Sequence, residues 1–149
     1  MAVKIRPVQG SDKDQWQRLY DGYQRFYDRP DLPQSFFDAA FARLVSGDAR
    51  DFHGLVAEEG GQLLGLTHYV FHPNLWRPEG VCYLQDLFTV PEARGKGVAR
   101  ALIEAVYRAA DAAGVPAVYW LTAENNYPGR MLYDRVAVKS PFIRYNRPL

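Results

Sequence analysis

One short stretch constrains this chain more than any other, the segment VPEARGKGVAR from Val90 to Arg100. It places two glycines and three cations between an apolar run, VCYLQDLFTV, and a segment of helical pattern, VARALIEAVYRAADAA. The first N–H groups of a helix lack partners within the helix, and the helix dipole makes that end positive. Glycine lets the backbone come close to a ligand. The corner therefore predicts a site for phosphate or pyrophosphate; the alternative is a tight turn with solvated cations.

Two other phosphate-binding motifs fit this corner poorly. A Walker loop needs Ser or Thr directly after its Gly-Lys pair, whereas here Gly97 follows Lys96. A dinucleotide-binding fingerprint needs a third small residue where Arg100 stands. Neither motif is therefore predicted.

The spacing of apolar residues predicts strands and helices in alternation. Strands are predicted at residues 3–8, 52–59, 62–73, 81–90, 116–123 and 140–149, and helices at 12–27, about 36–47, 98–113 and 125–137. Gly60 and Gly61 predict a hairpin turn, and residues 74–80 a loop. The unit strand–helix–strand around the corner requires a parallel pair with a right-handed crossover. The expected fold is α+β: a mixed, mostly antiparallel sheet with helices on both faces and one central parallel strand–helix–strand unit.

The composition of the chain argues against several classes of function. At 149 residues and a net charge of +1, the chain has the size of one domain and no bulk field for nucleic acid or an anionic membrane. A lone cysteine, Cys82, and an N-terminus without a signal-peptide pattern suit a reducing cytoplasm. With three histidines no metal site is expected, and His68 is predicted to be a partly buried strand residue. We expect one cytoplasmic domain, residues 1–149.

Two motifs in order make the sequence resemble a known family. The segment RGKGVA (94–99), inside YLQDLFTVPEARGKGVARALIEAV, resembles the first signature of the Gcn5-related N-acetyltransferases, the GNAT family. Further on, NNYPGRMLYDRV resembles the second, with Asn126 seven residues before Tyr133. The resemblance implies the acyl-CoA N-acyltransferase fold. It also implies direct transfer of acetyl from acetyl-coenzyme A to a primary amine, on a small molecule or a lysine side chain, through a ternary complex. The ending LYDRVAVKSPFIRY is similar to the branch of yeast histone- and polyamine-acetylating enzymes, which implies a homodimer.

The resemblance also assigns the cofactor-binding groups. It implies that four residues pair their backbone with the pantetheine arm as if it were an added strand: Leu87, Phe88, Thr89 and Val90. Such pairing requires the parallel strands to splay apart, commonly beside a β-bulge. Six residues are implied to hold the pyrophosphate by their amides: Arg94, Gly95, Lys96, Gly97, Val98 and Ala99. The side chains of Lys96 and Arg100 lie nearby, and Asn126 is implied to bind the pantetheine.

The predicted chemistry needs a proton acceptor for the amine and a proton donor for the leaving thiolate. Tyr133 matches the family's tyrosine near the sulfur and is the predicted donor. The base is less defined: related polyamine-type enzymes read Glu-Asp where this chain has Gln85-Asp86. Asp86 or Glu124 is the candidate base, and Asp86 is equally open to a structural role. An aromatic helix stripe, Tyr20 to Tyr27, is predicted to be core, with Tyr20 or Tyr27 reaching the cleft.

Three alternatives to acetyl transfer follow from the sequence. The enzyme could use a longer acyl group, because the size of the acyl pocket is not encoded in a short motif. A second alternative is a non-catalytic module that binds or senses acyl-coenzyme A. A nucleic-acid-binding module is the most distant, since it rests only on the basic tail FIRYNRPL.

Overall fold

The computed structural model describes residues 2–149, which form a five-stranded sheet with helices on both faces. The strands are β1 (Lys4–Pro7), β2 (His53–Glu59), β3 (Gln62–Asn74), β4 (Arg77–Thr89) and β5 (Val118–Tyr119). The α-helices are α1 (Lys13–Phe26), α2 (Gln34–Leu44), α3 (Val98–Ala112) and α4 (Tyr127–Val136). Within this described part of the chain, every helix is too short or too polar to cross a bilayer.

The sheet follows the order of the chain, β1-β2-β3-β4-β5. Its first four strands pair antiparallel, and β4 pairs parallel with β5. Helix α3 connects these two parallel strands. Gly60 and Gly61, both at positive φ, turn β2 into β3 as the sequence predicts. The α+β fold with one parallel strand–helix–strand unit is thus confirmed.

Two apolar layers hold the helices to the sheet. On one face, α1 and α2 bury an aromatic cluster that includes Trp16, Phe37 and Phe41. On the other face, α3 lays an aliphatic stripe over the sheet: Val98, Leu102, Ile103, Val106 and Ala110. Burial of each large side chain stabilises the fold by about 1.5–3 kcal/mol. The sheet is therefore covered by helices on both faces.

The predicted loop at residues 74–80 is wrong. β3 continues to Asn74 and β4 begins at Arg77, so the strands meet in a tight turn with Leu75 and Trp76 at its tip. Gly80 lies within β4 at φ +89, and a Cβ there would approach the His72 carbonyl oxygen to 2.8 Å. The glycine thus marks a close strand approach beside a register shift, not a loop.

The prediction of a final strand at residues 140–149 is also wrong, and β5 is much shorter than predicted. Residues after α4 form no strand within the described range, and Phe142, Ile143 and Tyr145 remain exposed. An alternating pattern makes a strand only where a neighbouring strand and an apolar layer receive it. Phe26, predicted as part of the α1 core stripe, is likewise 58% exposed.

Candidate active site

The corner between β4 and α3 has an uncovered backbone. Gly95 and Gly97 adopt left-handed φ values of +76° and +80°, which residues with a Cβ rarely adopt. A Cβ at either position would point into open space. The Gly97 carbonyl accepts the first helical bond, from the Ala101 N–H at 3.0 Å. The N–H groups of the first turn are therefore free of intrahelical partners and open to an anion.

The three cations of the corner differ in their surroundings. Arg94 turns back, where its Nε donates to the Thr89 carbonyl at 3.1 Å and its guanidinium covers the Phe88 ring. Arg100 pairs with Glu104 on the exposed helix surface at 2.9 Å. Within residues 2–149, Lys96 takes part in no ion pair. Lys96 is thus the cation best placed to meet a ligand, while Arg94 braces the corner.

A diphosphate fits the residues at this corner. Thr89, the last residue of β4, has a buried hydroxyl whose Oγ1 finds no hydrogen-bond partner among residues 2–149. Buried polar atoms in native proteins are nearly always bonded, so an unmatched one beside an open loop suits a polar ligand. With the free amides and Lys96, the corner offers donors and positive charge without steric obstruction.

β4 and β5 splay apart beyond a short paired segment. They pair only at Cys82–Val118 and Tyr83–Tyr119. On the other side of β4, Leu84 pairs with Tyr69 and Asp86 with His68, which leaves Gln85 as the extra residue of a β-bulge. The splay and the bulge expected from the family resemblance are both present.

The free edge of β4 faces the gap. The Val90 N–H donates to the Leu64 carbonyl on β3 at 2.9 Å. Because peptide groups alternate along a strand, the N–H and C=O groups of Leu87 and Thr89 point the opposite way, into the gap. Of the four residues predicted to pair with the pantetheine arm, these two thus direct their backbone groups into the gap. The backbone of Phe88 faces β3, and the Val90 N–H and carbonyl are held by Leu64 and Ala93.

A small cleft of about 20 Å³ lies in this gap, and Tyr133 of α4 lines it. Leu84, Leu87 and Leu121 provide apolar walls, and the Trp120 ring meets the Tyr133 ring edge-on at 5.5 Å between centroids. Burial raises the pKa of the Tyr133 hydroxyl, with a smaller effect from Tyr27. Tyr133 therefore keeps its proton across the physiological range and faces the gap as a donor.

A larger pocket of about 490 Å³ adjoins the cleft. The two share Tyr23, Tyr27 and Gln85 as lining residues. The pocket is lined by Tyr20, Tyr23, Gln24, Tyr27, Arg29, Phe36, Tyr83, Gln85, Asp86 and Arg144. The prediction that Tyr20 or Tyr27 reaches the cleft is confirmed, and Tyr23, predicted as core, lines it as well. Burial, and then the charge of Asp86, raises the pKa values of Tyr20 and Tyr23, so both remain neutral donors.

Asp86 lies in the wall of this pocket and is 4% exposed. Its Oδ2 accepts a hydrogen bond from the Tyr20 hydroxyl at 3.0 Å and lies 2.8 Å from His68 Nδ1. The alternative base, Glu124, is exposed and lines neither cavity. Between the two candidates, the geometry favours Asp86.

His68 is the residue that sequence reasoning missed at this site. It is 4% exposed rather than partly buried, and it lies directly opposite Asp86 in the β3–β4 ladder. Trp16 of α1 donates its Nε1–H to His68 Nε2 at 2.9 Å. No local motif links positions 16, 68 and 86, because the bulge at Gln85 sets the register that brings them together.

Asn126 caps α4 instead of projecting freely. Its Oδ1 accepts from the Gly129 N–H at 3.3 Å, and its Nδ2 donates to Thr122 Oγ1 at 3.0 Å. A side chain that caps a helix stabilises it by about 1 kcal/mol. The cap orients the helix that carries Tyr133, and a bond from Asn126 to pantetheine stays a prediction.

A comparison with family models decides the class of the protein. The model of the Acetyltransferase (GNAT) family matches residues 16–137, which include both signatures and most of the residues that line the two cavities. The chain belongs to the GNAT family. This confirms the prediction of an acetyl-coenzyme A-dependent N-acetyltransferase.

This GNAT protein is also similar to individual N-acetyltransferases. It is 35% identical to the D-amino-acid N-acetyltransferase HPA3 of Saccharomyces cerevisiae, over 97% of this chain and 90% of that protein. It is 29% identical to the uncharacterized N-acetyltransferase YhfO of Bacillus subtilis, over 89% of this chain and 87% of that protein. The yeast relative fits the branch to which the ending of the sequence is similar.

Solved structures support the fold of this GNAT protein. AAC(6')-Iy, in complex with the bisubstrate analogue CoA-S-monomethyl-acetylneamine, superposes with a TM-score of 0.86 at 19% identity, over 100% of this chain and 99% of that one. A ribosomal-protein-alanine N-acetyltransferase from Brucella melitensis superposes with a TM-score of 0.82 at 21% identity, over 100% of both chains. At such identities the match establishes the acyltransferase fold.

Proposed function

We propose that residues 1–149 act as one domain that transfers acetyl directly from acetyl-coenzyme A to the primary amine of a small molecule. One observation carries the proposal: β4 has the open glycine corner at its carboxyl end and Asp86 three residues before its last residue, Thr89. A single strand thus links an anion site to a carboxylate in a 490 Å³ pocket. The family match over residues 16–137 supports acetyl transfer as the chemistry.

In this proposal the corner and the edge of β4 bind the co-substrate. The amides from Arg94 to Ala99 and the side chain of Lys96 hold the diphosphate. The backbone groups of Leu87 and the N–H of Thr89 pair with the amides of the pantetheine arm, as an added strand pairs with a sheet edge. The Thr89 carbonyl is already held by Arg94. When bound, acetyl-coenzyme A supplies an activated thioester.

Asp86 and Tyr133 carry the proton chemistry. An acceptor amine has a pKa near ~10 and is protonated at neutral pH, so Asp86 must remove a proton before the nitrogen can attack. The nitrogen then attacks the carbonyl carbon, and a backbone N–H of β4 stabilises the negative charge that develops on the carbonyl oxygen. As the C–S bond breaks, the nitrogen gives up its second proton, which replaces the one that Tyr133 donates to the thiolate. A thiol pKa of ~8.5 lies below that of a tyrosine. Because burial raises the Tyr133 pKa further, Tyr133 stabilises the thiolate by hydrogen bonding and donates its proton only late.

The charges around the pocket favour an acceptor that carries a carboxylate beside its amine. Asp86 attracts the ammonium, while Arg29 and Arg144 line the same pocket with opposite charge. Arg144 bonds to Asn146 through Nε, which leaves its terminal nitrogens for a ligand. A guanidinium binds a carboxylate with well-directed hydrogen bonds. We therefore propose a free amino acid as the acceptor; the name of the yeast relative, a D-amino-acid N-acetyltransferase, supports this class.

The test measures thiol release from acetyl-coenzyme A with amino acids of both configurations, polyamines, aminoglycosides and lysine peptides. We expect turnover with free amino acids and much higher KM values for amines that lack the carboxylate.

In the same assay, Tyr133→Phe should lower kcat by about 10- to 100-fold, because one donor to the thiolate is lost, while the Kd for coenzyme A stays unchanged. A wild-type protein that binds coenzyme A but releases no thiol with any amine would be a binding module, contrary to the proposal.

We also propose that the protein forms a homodimer through its C-terminal segment. Residues 137–149 follow α4 without regular structure and expose Val138, Phe142, Ile143 and Tyr145. So many exposed apolar side chains on one segment indicate a protein contact. Sedimentation velocity should give a dimer for the full chain and a monomer after truncation at Lys139. A full chain that sediments as a monomer at micromolar concentration would refute the dimer.

A further inference from the structure

A chain of four buried side chains runs from α1 into the wall of the acceptor pocket. Trp16 is 0% exposed, His68 and Asp86 are 4% exposed, and Tyr20 is 6% exposed. The connecting distances are 2.9 Å from Trp16 Nε1 to His68 Nε2, 2.8 Å from His68 Nδ1 to Asp86 Oδ2, and 3.0 Å from Tyr20 Oη to Asp86 Oδ2. Such burial leaves bulk water little access to these hydrogen bonds. The four groups must therefore satisfy one another.

The hydrogen-bond donors among these four side chains allow only one protonation state of His68. An indole nitrogen can only donate, so Trp16 Nε1–H requires a lone pair on His68 Nε2. A neutral imidazole whose Nε2 accepts carries its proton on Nδ1. His68 Nδ1–H therefore donates to Asp86 Oδ2, which is the acceptor. Trp16 thus fixes His68 as a neutral imidazole with a single donor.

The same pattern leaves one oxygen of Asp86 for the pocket. Oδ2 accepts from both His68 and Tyr20. The Tyr23 hydroxyl donates to the Gln85 carbonyl at 3.5 Å, and it also lies close enough to the Asp86 carboxylate that, after burial, the charge of Asp86 and a hydrogen bond to it raise the Tyr23 pKa. The two close donors among residues 2–149 both bond to Oδ2, so that Oδ1 is the carboxylate oxygen left for the pocket that Asp86 and Tyr23 line. Two donors on one oxygen thus hold the carboxylate in a fixed rotation.

We propose that His68 is a positioning residue of the transfer reaction: Trp16 holds it as the neutral Nδ1–H form, and its N–H turns the free oxygen of Asp86 toward the acceptor amine. This inference rests on the proposed role of Asp86 as the base. His68 itself accepts no proton from the substrate, because Trp16 occupies its only lone pair. The proton moves from the amine to Asp86 Oδ1 and passes from there to solvent through the pocket.

The test compares His68→Leu with His68→Asn. Both variants leave the Trp16 N–H without its acceptor, so both should lose similar thermal stability. Only asparagine keeps an N–H close to the position of Nδ1, and it should still hold Asp86. We expect kcat to fall about 10- to 100-fold in His68→Leu and to recover to within about fivefold of wild type in His68→Asn, with the Kd for coenzyme A unchanged in both. His53→Asn, on β2 and outside both cavities, is the matched control.

Equal kcat in the leucine and asparagine variants would overturn the positioning role and leave His68 as a structural residue. An Asp86→Asn variant with full activity would instead refute the proposed base, so the two failures are distinguishable. If His68→Leu does not fold, the nitrogen-15 chemical shifts of the His68 ring in the wild type decide. A proton on Nδ1 and none on Nε2 is expected, and a protonated Nε2 would overturn the inference.

Discussion

Replacing Gly97 by glutamate should raise the Kd for coenzyme A by at least about 100-fold, equivalent to roughly 2.7 kcal/mol. Gly97 has φ +80°, where a residue with a Cβ is strained by about 1–2 kcal/mol. The new side chain would also place a negative charge at the open helix end where the diphosphate is proposed to bind. Isothermal titration calorimetry with coenzyme A measures the change.

The control for this substitution is Gly114→Glu, at the other end of α3. Gly114 has φ +74° and open space where a Cβ would lie, so the two variants share backbone strain and added charge. The control lies a whole helix away from the corner and should bind coenzyme A like the wild type. Equal weakening in both variants would attribute the effect to general destabilisation, against the assignment of the corner.

The second large effect is expected for Asp86→Asn, which should lower kcat by about 10²- to 10⁴-fold. Asparagine keeps the shape of the side chain and one oxygen that can accept from Tyr20 and His68. It cannot take a proton from the acceptor amine at neutral pH. Steady-state kinetics with the best amine of the thiol-release panel measure the loss, and the Kd for coenzyme A should not change.

Glu124→Gln is the matched control for the base. Glu124 is exposed and lines neither cavity, so this variant should keep its kcat within about twofold. The reverse result, a large loss in Glu124→Gln and full activity in Asp86→Asn, would assign the base to Glu124 and leave Asp86 as a structural carboxylate.

The corner and the fold class were predictable from the sequence because their causes are local. Gly95 and Gly97 have left-handed φ values, and that requirement is written directly into the residue types. Val98, Leu102 and Val106 of α3 repeat at helical spacing and are buried against the sheet as the spacing predicts, whereas Ala113, predicted on the same stripe, is exposed. Where one short segment determines its own geometry, the sequence of that segment is sufficient to predict the geometry.

The cross-strand arrangement at Asp86 was not predictable in the same way. Whether Asp86 meets His68 depends on strand register, and Gln85 shifts that register by one residue. A single extra residue turns Asp86 toward α1, where Tyr20 donates to it directly and Trp16 donates to its partner His68. Sequence periodicity cannot locate such a bulge, because it carries no unusual residue type.

The prediction of a final strand at residues 140–149 was wrong for a different reason. Phe142, Arg144 and Asn146 alternate like strand residues, but a strand forms only when it has a partner edge. In this structure, β5 is only two residues long, and the tail contributes Arg144 to the lining of the 490 Å³ pocket instead. The prediction of a loop at residues 74–80 was wrong because Pro78 and Gly80, which are typical of loops, lie within β4.

A crystal structure of the protein with acetyl-coenzyme A bound tests the central claim most directly. The claim is that the glycine corner holds the diphosphate while the thioester lies between Tyr133 and Asp86. The expected result is diphosphate oxygens at about 2.7–3.2 Å from the backbone nitrogens between Arg94 and Ala99. A diphosphate bound anywhere else on the protein would contradict the claim.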